Sequence, residues 1–359
     1  MKRVFIFQDF KSQKFWSIDT VGTEVTVNYG KLGTDGQIQV KQFASEAEAT
    51  KAADKLIAEK TKKGYVESTE ETAKNSKVEA KKYGLSYDDF DNGKGQEFLL
   101  NKMLNDKKLP DIKQLTIGCW DFESGDCQEL VNGMIANKDK FAHVEELFWG
   151  DIDMEESEIS WIEQTDLAPL IDIFPKLQKL IIKGTNNLKI GVKNRSTLKS
   201  LEIVSGGLPS SVVEEIIKSS FPNLERLRLF VGVDDYGFDG SADTFAPLFS
   251  KAKFPKIKDF GIINSDLQDD FVKMVLESDI LPQLEILDLS CGVLTDKGGQ
   301  MLLDNINKIE HLQFIDMKYN YLSEEMCKKL RKLPVKVDVS DPQGDEDDED
   351  DWKYPMITE

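Results

Sequence analysis

Three apolar positions, spaced three and then two residues apart, recur along most of the chain after residue 111. The clear copies begin at Leu177, Leu198, Leu224, Ile257, Leu284 and Leu312, looser ones begin at Ile112 and Val144, and Val335, Val337 and Val339 close the series. This spacing is typical of a short buried strand, and the 21 to 33 residues between successive starts leave room for a helix in most units. The pattern predicts an α/β module in which strand–helix units stack with their strands parallel.

The first 67 residues follow a different pattern. Four short segments of strand-like composition, 4–7, 15–18, 25–29 and 37–41, are separated by turns rich in Gly and Asp. Ser45 then precedes Glu48 by three residues, which is the capping-box spacing of a helix start. Ala49, Ala52, Ala53, Leu56 and Ile57 recur at helical spacing, and Gly64 follows as a stop signal. The sequence predicts a small sheet covered by one helix.

Two segments of strongly polar composition divide the chain further. Residues 67–82 contain almost no apolar side chains, and eight of the eleven residues from Asp341 to Asp351 are acidic. We therefore predict a first domain at 1–67, a solvated linker at 68–82, a repeat domain at 83–339 and an acidic C-terminal tail at 340–359.

The first domain resembles a known family. The run Tyr29-Gly30-Lys31-Leu32-Gly33-Thr34-Asp35-Gly36-Gln37, the later Lys41-x-Phe43-x-Ser45 and the helix end through Lys62-Lys63-Gly64-Tyr65 are similar to a WGR domain. The resemblance implies that the family's Trp and Arg, which contact DNA near a strand end in poly(ADP-ribose) polymerases, correspond to Tyr29 and Lys31 on either side of Gly30. Tyrosine can stack on a base and lysine can meet a phosphate, but the bidentate fork of arginine is lost.

Two interpretations of Tyr29 stay open at this level. Strand alternation places it on one face with Val25 and Val27, where its ring would complete the small core. Alternatively, Tyr29 and Lys31 form an exposed recognition pair with Lys51, Lys55 and Lys62 as a basic rim.

The second module is similar to leucine-rich repeats of the long-helix class. The copy at Leu312 continues to Asn320 and Leu322, where that family places its ladder asparagine and its next buried leucine. The resemblance implies a curved solenoid with outer helices. A WGR domain followed by such repeats resembles bacterial proteins labelled molybdenum-metabolism regulators, and this likeness concerns architecture more than activity.

Charge narrows the classes of partner. The chain has 65 acidic and 46 basic residues, a net charge of −19, which opposes general binding to nucleic acid or anionic membranes. Residues 1–67 carry 11 basic and 9 acidic side chains, so their net charge is +2 and that of the remainder is −21. Four scattered cysteines and the lack of a long apolar stretch favour a reducing, cytoplasmic location without a membrane segment.

Catalytic chemistry has little support in the sequence. The two histidines, His143 and His311, occupy equivalent positions just before a repeat strand, so both are expected to be structural. No nucleophile elbow, phosphate loop or zinc-protease motif is present. We therefore expect no enzyme activity, no catalytic residue and no cofactor.

Metal binding is also not expected. Cys119 and Cys127 lack a second ligand pair for zinc, and Asp235, Asp239 and Asp243 give only a weak calcium pattern around Gly240.

The leading expectation is a non-enzymatic binding or scaffold protein. The repeats would hold a basic protein partner on an acidic concave face with aromatic anchors near Trp149 and Phe260, and the WGR domain would add a second contact. The alternative is a nucleic-acid-end sensor that binds through Tyr29, Gly30 and Lys31 and recruits a partner through the repeats. A positive patch around Tyr29 and Lys31 would favour the sensor, whereas a neutral patch with Tyr29 buried would favour the scaffold.

Overall fold

The computed structural model describes residues 2–8, 13–32, 36–69, 79–343 and 353–358. The chain divides into two units, Met1–Ala80 and Lys81–Glu359. The predicted linker and tail fall partly outside the described residues, at 70–78 and 344–352.

The first unit is a five-stranded antiparallel sheet with one helix, and its strand order is β4-β3-β2-β1-β5. Its elements are β1 (Arg3–Gln8), β2 (Gln13–Val21), β3 (Glu24–Lys31), β4 (Gln37–Gln42), α1 (Glu46–Lys62) and β5 (Val66–Ser68). The helix begins as the capping spacing predicts, because the Ser45 side chain accepts a hydrogen bond from Glu48 N at 3.2 Å. The core lies between the sheet and α1, where Phe5, Trp16, Ile18 and Val25 pack against Ala49 and Ala53.

The second unit contains a ten-stranded sheet whose strand order follows the chain from β6 to β15. The strands are β6 (Glu79–Tyr83), β7 (Ile112–Ile117), β8 (Glu146–Trp149), β9 (Lys179–Lys183), β10 (Ser200–Val204), β11 (Arg226–Gly232), β12 (Asp259–Ser265), β13 (Ile286–Asp288), β14 (Phe314–Asp316) and β15 (Lys336–Asp338). Neighbouring strands from β7 to β15 pair in parallel.

Helices connect many of these strands, which confirms the predicted mixture of a parallel sheet with helices. They are α2 (Tyr87–Asp91), α3 (Gln96–Leu104), α4 (Gln128–Ala136), α5 (Ala168–Ile171), α6 (Ser210–Lys218), α7 (Gln268–Glu277), α8 (Asp296–Asp304), α9 (Ile306–Ile309) and α10 (Glu324–Leu330). Parallel strands require such crossover connections, since a tight hairpin can join only antiparallel strands.

The recurring apolar positions of the sequence align in space. The middle position of each copy pairs in register with that of the next: Leu115, Leu147, Leu180, Leu201, Leu227, Phe260, Leu287, Ile315 and Val337. All except Val337 are buried, and together they form a ridge through one continuous core. The pattern therefore indicated both the strands and their register.

Asn320 links two neighbouring strand–helix repeats of the second unit by side-chain hydrogen bonds. Its amide nitrogen donates to Leu289 O at 2.9 Å and to Met317 O at 3.0 Å, while its amide oxygen accepts from Leu294 N at 2.9 Å. The side chain is buried, so these bonds satisfy main-chain groups that water does not reach.

Three expectations from the sequence need correction. Trp149 and Phe260 are buried in the core, and Trp149 stacks on Trp120 with ring centroids 5.7 Å apart, so neither is an exposed anchor. The two ends of the segment interpreted as a linker, 68–82, belong to strands β5 and β6. Residues 353–358, assigned to the acidic tail, form several hydrogen bonds with the rest of the second unit, which are described below.

The open face of the parallel sheet, opposite the buried ridge, carries arginines among its carboxylates. Arg226 and Arg228 lie on β11 among carboxylates, and Arg228 pairs with Asp259 at 3.1 Å and with Asp288 at 2.7 Å. Arg226 contacts Glu202 on β10 at 3.1 Å. The acidic groups at the centre of this face are therefore partly neutralised.

Candidate nucleic-acid interface

A pocket of about 830 Å³ lies at one end of the first unit's sheet. It is lined by Lys14, Phe15, Tyr29, Gly30, Lys31, Gly36, Gln37, Lys60 and Tyr65. The three residues predicted from the sequence, Tyr29, Gly30 and Lys31, are all among them. None of these described lining residues is acidic, whereas three are lysines.

Tyr29 lies between the two arrangements that the sequence left open, because its ring is partly in the core and partly at the pocket. It lies on β3 opposite Trp16, is half-buried and packs against the core, so its ring contributes to folding. The same side chain lines the pocket, and its hydroxyl accepts a hydrogen bond from Gln39 Nε2 at 3.0 Å. Its ring is therefore held in place by packing, which is what a stacking platform requires.

Strand register brings two of the lysines together. Lys14 on β2 and Lys31 on β3 are directly paired, so two like charges face each other across neighbouring strands. Like charges directly opposite each other in a sheet repel, and an anion beside them reduces that repulsion. Their position beside the pocket is suited to a phosphate.

Lys60 supplies the third positive charge from the helix. Its ammonium lies 4.8 Å from the ring centroid of Tyr65 and 5.8 Å from that of Trp16. Burial lowers the pKa of Lys60, and the positive charges of Lys63 and Lys14 lower it further. An anion in the pocket would relieve this repulsion.

Gly36 shapes the wall of the pocket. Its φ is +71°, and a Cβ at this position would lie 2.5 Å from Phe15 Cζ and 2.8 Å from Tyr29 O. A larger residue would displace both neighbours, so only glycine fits between them.

Sequence reasoning missed Lys14, Lys60 and Tyr65. Lys60 follows Ala53, Leu56 and Ile57 at helical spacing, so a lysine on the apolar stripe was the available signal. The lysines proposed as a rim do not take this place: Lys51 and Lys55 are exposed on α1 outside the lining set, and the side chain of Lys62 lies outside the described residues.

The histidines of the second unit occupy matching structural positions. His143 Nε2 lies 2.7 Å from Leu109 O, and His311 Nε2 lies 2.9 Å from Leu281 O. Each contact reaches back to a short 3₁₀ turn before the preceding strand. Each imidazole therefore links two neighbouring strand–helix repeats of the second unit.

The candidate metal ligands are engaged in protein contacts. Cys119 and Cys127 are buried, and burial raises the pKa of each thiol to about 12. Asp239 accepts a hydrogen bond from Ser210 N at 2.7 Å, and Asp235 accepts one from the Tyr354 hydroxyl at 3.4 Å. In the part of the chain that the structure describes, no group of three or more His, Cys, Asp or Glu side chains is arranged to hold a metal ion.

No helix within the described ranges has both the length and the apolar character needed to cross a membrane.

Comparisons with known proteins agree with the fold of the first unit. Residues 1–72 match the WGR domain family. The uncharacterized protein YfeS of Escherichia coli (strain K12) is 54% identical over 67 residues, which are 19% of this chain and 28% of YfeS. Protein YehF of the same strain is 51% identical over 71 residues, 20% of this chain and 26% of YehF. The chain thus spans about a quarter of the length of these curated relatives.

A solved structure covers the whole chain. The crystal structure of a Bacteroides fragilis protein, a target of the Northeast Structural Genomics Consortium, is 62% identical, with a TM-score of 0.93 over 100% of both chains. The chain therefore belongs to the same family as this protein, and its N-terminal residues 1–72 are a WGR domain.

Proposed function

We propose that the protein binds nucleic acid at the pocket of its WGR domain, and that it does so without enzymatic activity. The observation that carries this proposal is the composition of the pocket, in which Lys14, Lys31 and Lys60 surround the rings of Tyr29 and Tyr65 with no acidic residue in the described lining. Lysines attract the phosphate backbone, and aromatic rings stack on bases of any identity.

The end of a strand fits this pocket better than the middle of a duplex. Bases inside a duplex are already stacked, whereas a terminal base has a free face that can lie on Tyr29. The net charge of −21 outside residues 1–67 also opposes extended contact with a polyanion. A contact limited to one end keeps the phosphates near the three lysines. The resemblance to WGR domains that contact strand ends supports the same geometry.

The test compares duplexes with open ends and duplexes whose ends are closed by hairpins. Fluorescently labelled duplexes are titrated with the full chain at about 50 mM and 200 mM salt, and we expect tighter binding to open ends. The logarithm of affinity falls with the logarithm of salt concentration by about 0.9 for each phosphate contact. If the three lysines each meet a phosphate, affinity should fall roughly 40-fold between these salt concentrations. Equal binding to open and closed ends at low salt would refute the proposal.

Three variants separate the contributions. Lys31→Ala should reduce the salt slope by about one contact. Tyr29→Leu retains an apolar side chain for the core but removes the stacking plane, so binding should weaken by roughly 1–3 kcal/mol. Lys51→Ala removes a lysine of the same domain outside the pocket lining, and it should leave affinity nearly unchanged. An equal effect of Lys51→Ala and Lys31→Ala would indicate unspecific charge attraction.

A fragment of the WGR domain should bind more tightly than the full chain, because it lacks the acidic remainder. The fragment must extend to residue 72, since a chain ended at residue 67 would lack the last residue of β5, which pairs with β1. A fragment that binds more weakly than the full chain would show that the second unit contributes contacts.

For the second unit we propose a leucine-rich-repeat array that binds a protein partner. The in-register parallel strands and the Asn320 contacts between neighbouring units support the assignment to this class. The partner-binding role is supported by the carboxyl ends of the parallel strands, where the second unit already holds an extended segment of its own chain.

A further inference from the structure

The C-terminal segment, Lys353–Thr358, runs across the carboxyl ends of successive parallel strands. Tyr354 contacts Tyr321, which follows β14, and Met356 contacts Cys291, which follows β13. Ile357 contacts Asn264 near the end of β12. Thr358 approaches Gly206, which follows β10. We name these four partners, Tyr321, Cys291, Asn264 and Gly206, the docking track.

The docking track binds mainly the main chain of the segment. The Tyr321 hydroxyl accepts a hydrogen bond from Tyr354 N at 3.0 Å and donates one to Tyr354 O at 3.1 Å. Met356 N donates to Cys291 O at 2.9 Å. These contacts depend on an extended backbone and leave most side-chain identities open.

Asn264 forms the most specific of these contacts. Its amide oxygen accepts a hydrogen bond from Ile357 N at 2.7 Å, and its amide nitrogen donates to Ile357 O. Asn264 is fully buried and has a φ of +57°, a left-handed conformation that asparagine tolerates better than most residues. One peptide unit of the segment thus engages both polar groups of this side chain, and the amide nitrogen also lies 3.5 Å from Ser205 O.

The segment also sets limits on the side chains that fit. Pro355 is buried and lacks an N–H that would need a partner, and Ile357 packs against the main core. Met356 is 55% exposed, so its position accepts many residues. The ammonium of Lys353 lies 6.0 Å from the ring centroid of Tyr321, and the Tyr354 hydroxyl donates to Asp235 at 3.4 Å.

The border of the docking track is acidic. Asp234 and Asp235 belong to the short 3₁₀ turn after β11, and Asp266 follows β12. Burial raises the pKa of Asp266, and the charge of Asp234 raises it further. A ligand with a basic residue would neutralise this border.

We propose that the docking track is a binding site for an extended peptide of a partner protein, with a basic residue followed by an aromatic residue, proline, any residue and an aliphatic residue. The C-terminal segment fills this site within the same chain. Because this occupant belongs to the same chain, it competes with a partner peptide at any protein concentration, and the peptide binds when its affinity exceeds that competition. The proposal does not depend on nucleic-acid binding.

The test uses the full chain and a synthetic probe, the labelled peptide Lys-Tyr-Pro-Met-Ile-Thr-Glu, which copies residues 353–359. The double variant Tyr354→Ala/Ile357→Asp should release the segment while leaving the track intact. We expect the released variant to bind the probe at least about tenfold more tightly than the unaltered chain, because the tethered competitor is gone. Met356→Ala is the matched control in the segment and should bind the probe as weakly as the unaltered chain.

A second variant tests the track itself. In Gly206→Ala the added Cβ would lie 2.4 Å from Thr358 O, so in the released background it should weaken probe binding. Gly95→Ala is its control, because a Cβ there has no neighbour within 4 Å. Circular dichroism confirms that each variant is folded.

Two outcomes would overturn the proposal. Absence of probe binding to the folded, released variant at 1 mM peptide would show that the segment is a fixed part of the fold. Concentration-dependent dimers of the unaltered chain that disappear in the released variant would assign the track to the segment of a second copy, not to a partner protein.

Discussion

The open face of the parallel sheet carries three aspartates in register, and replacing the middle one should stabilise the protein. Asp316 pairs across β14 with Asp288 on one side and with Asp338 on the other. Burial raises the pKa of Asp316, and the charge of Asp288 raises it further. Arg228 neutralises part of the Asp288 charge at 2.7 Å, and Lys318 lies 3.5 Å from Asp316.

The expected gain follows from these contacts. Two like-charged neighbours cost roughly 0.2–1 kcal/mol each, and the partly exposed Lys318 returns at most about 1 kcal/mol. Asp316→Asn keeps the oxygen that accepts from Lys318 N at 3.2 Å and removes the buried charge. We expect the variant to raise the free energy of unfolding at pH 7 by about 0.5–1 kcal/mol.

The pH dependence of stability tests independently whether Asp316→Asn stabilises the protein. Because folding raises the pKa of Asp316, its contribution to stability is fully present below the ordinary carboxyl pKa of about 3.9 and is lost as the pH rises through the raised value. The advantage of Asp316→Asn should therefore be largest at pH 7 and shrink towards zero near pH 4. Urea unfolding at both pH values measures it, with the exposed Asp111→Asn as control. A less stable variant at pH 7 would refute the reasoning, since the pairing with Lys318 would then outweigh burial and repulsion.

Other substitutions test the core, the asparagine contact and the pocket. Leu287→Ala should lower the free energy of unfolding by about 2–5 kcal/mol, because Leu287 is buried in the core. Ile286 lies on the opposite face of β13 and is only half-buried, so Ile286→Ala should lower it less. The reverse order in urea unfolding would contradict the register. Asn320→Ala should cost about 3 kcal/mol or more, because several buried main-chain groups lose their partner; a cost below about 1 kcal/mol would show that water replaces the amide. Lys14→Gln should weaken duplex binding, because it removes one of the three lysines that line the pocket. Unchanged binding would exclude Lys14 from the interface.

The parallel sheet could be predicted well because its signal is repeated. Each clear copy of the apolar pattern places three side chains in the core, and the next copy must pair with it to bury them, so the middle positions Leu180, Leu201 and Leu227 stack in register. The ladder position Asn320 follows from the same spacing. Trp149 and Phe260 were misjudged because an aromatic residue at an apolar position of the pattern belongs to the core, and the pattern itself gave this information.

The pocket could be predicted only in part. Tyr29, Gly30 and Lys31 are contiguous, so a local motif was sufficient to find them. Lys14 joins them through the pairing of β2 with β3, and Lys60 joins them through the packing of α1 on the sheet. Such contacts depend on tertiary structure, and composition does not indicate them.

The charges at the two proposed sites favour two different ligands. The WGR pocket has three lysines and no acidic residue in its described lining, so it attracts an anion and repels a cationic peptide. The docking track is bordered by Asp234, Asp235 and Asp266, so it attracts a cationic peptide and repels nucleic acid. One ligand cannot satisfy both sites, because the charge that stabilises it at one site destabilises it at the other. A chain with both sites is suited to hold a polyanion and a basic protein segment at the same time. Opposite charges attract these two ligands to each other, and the covalent connection between the two sites brings them together without that direct contact.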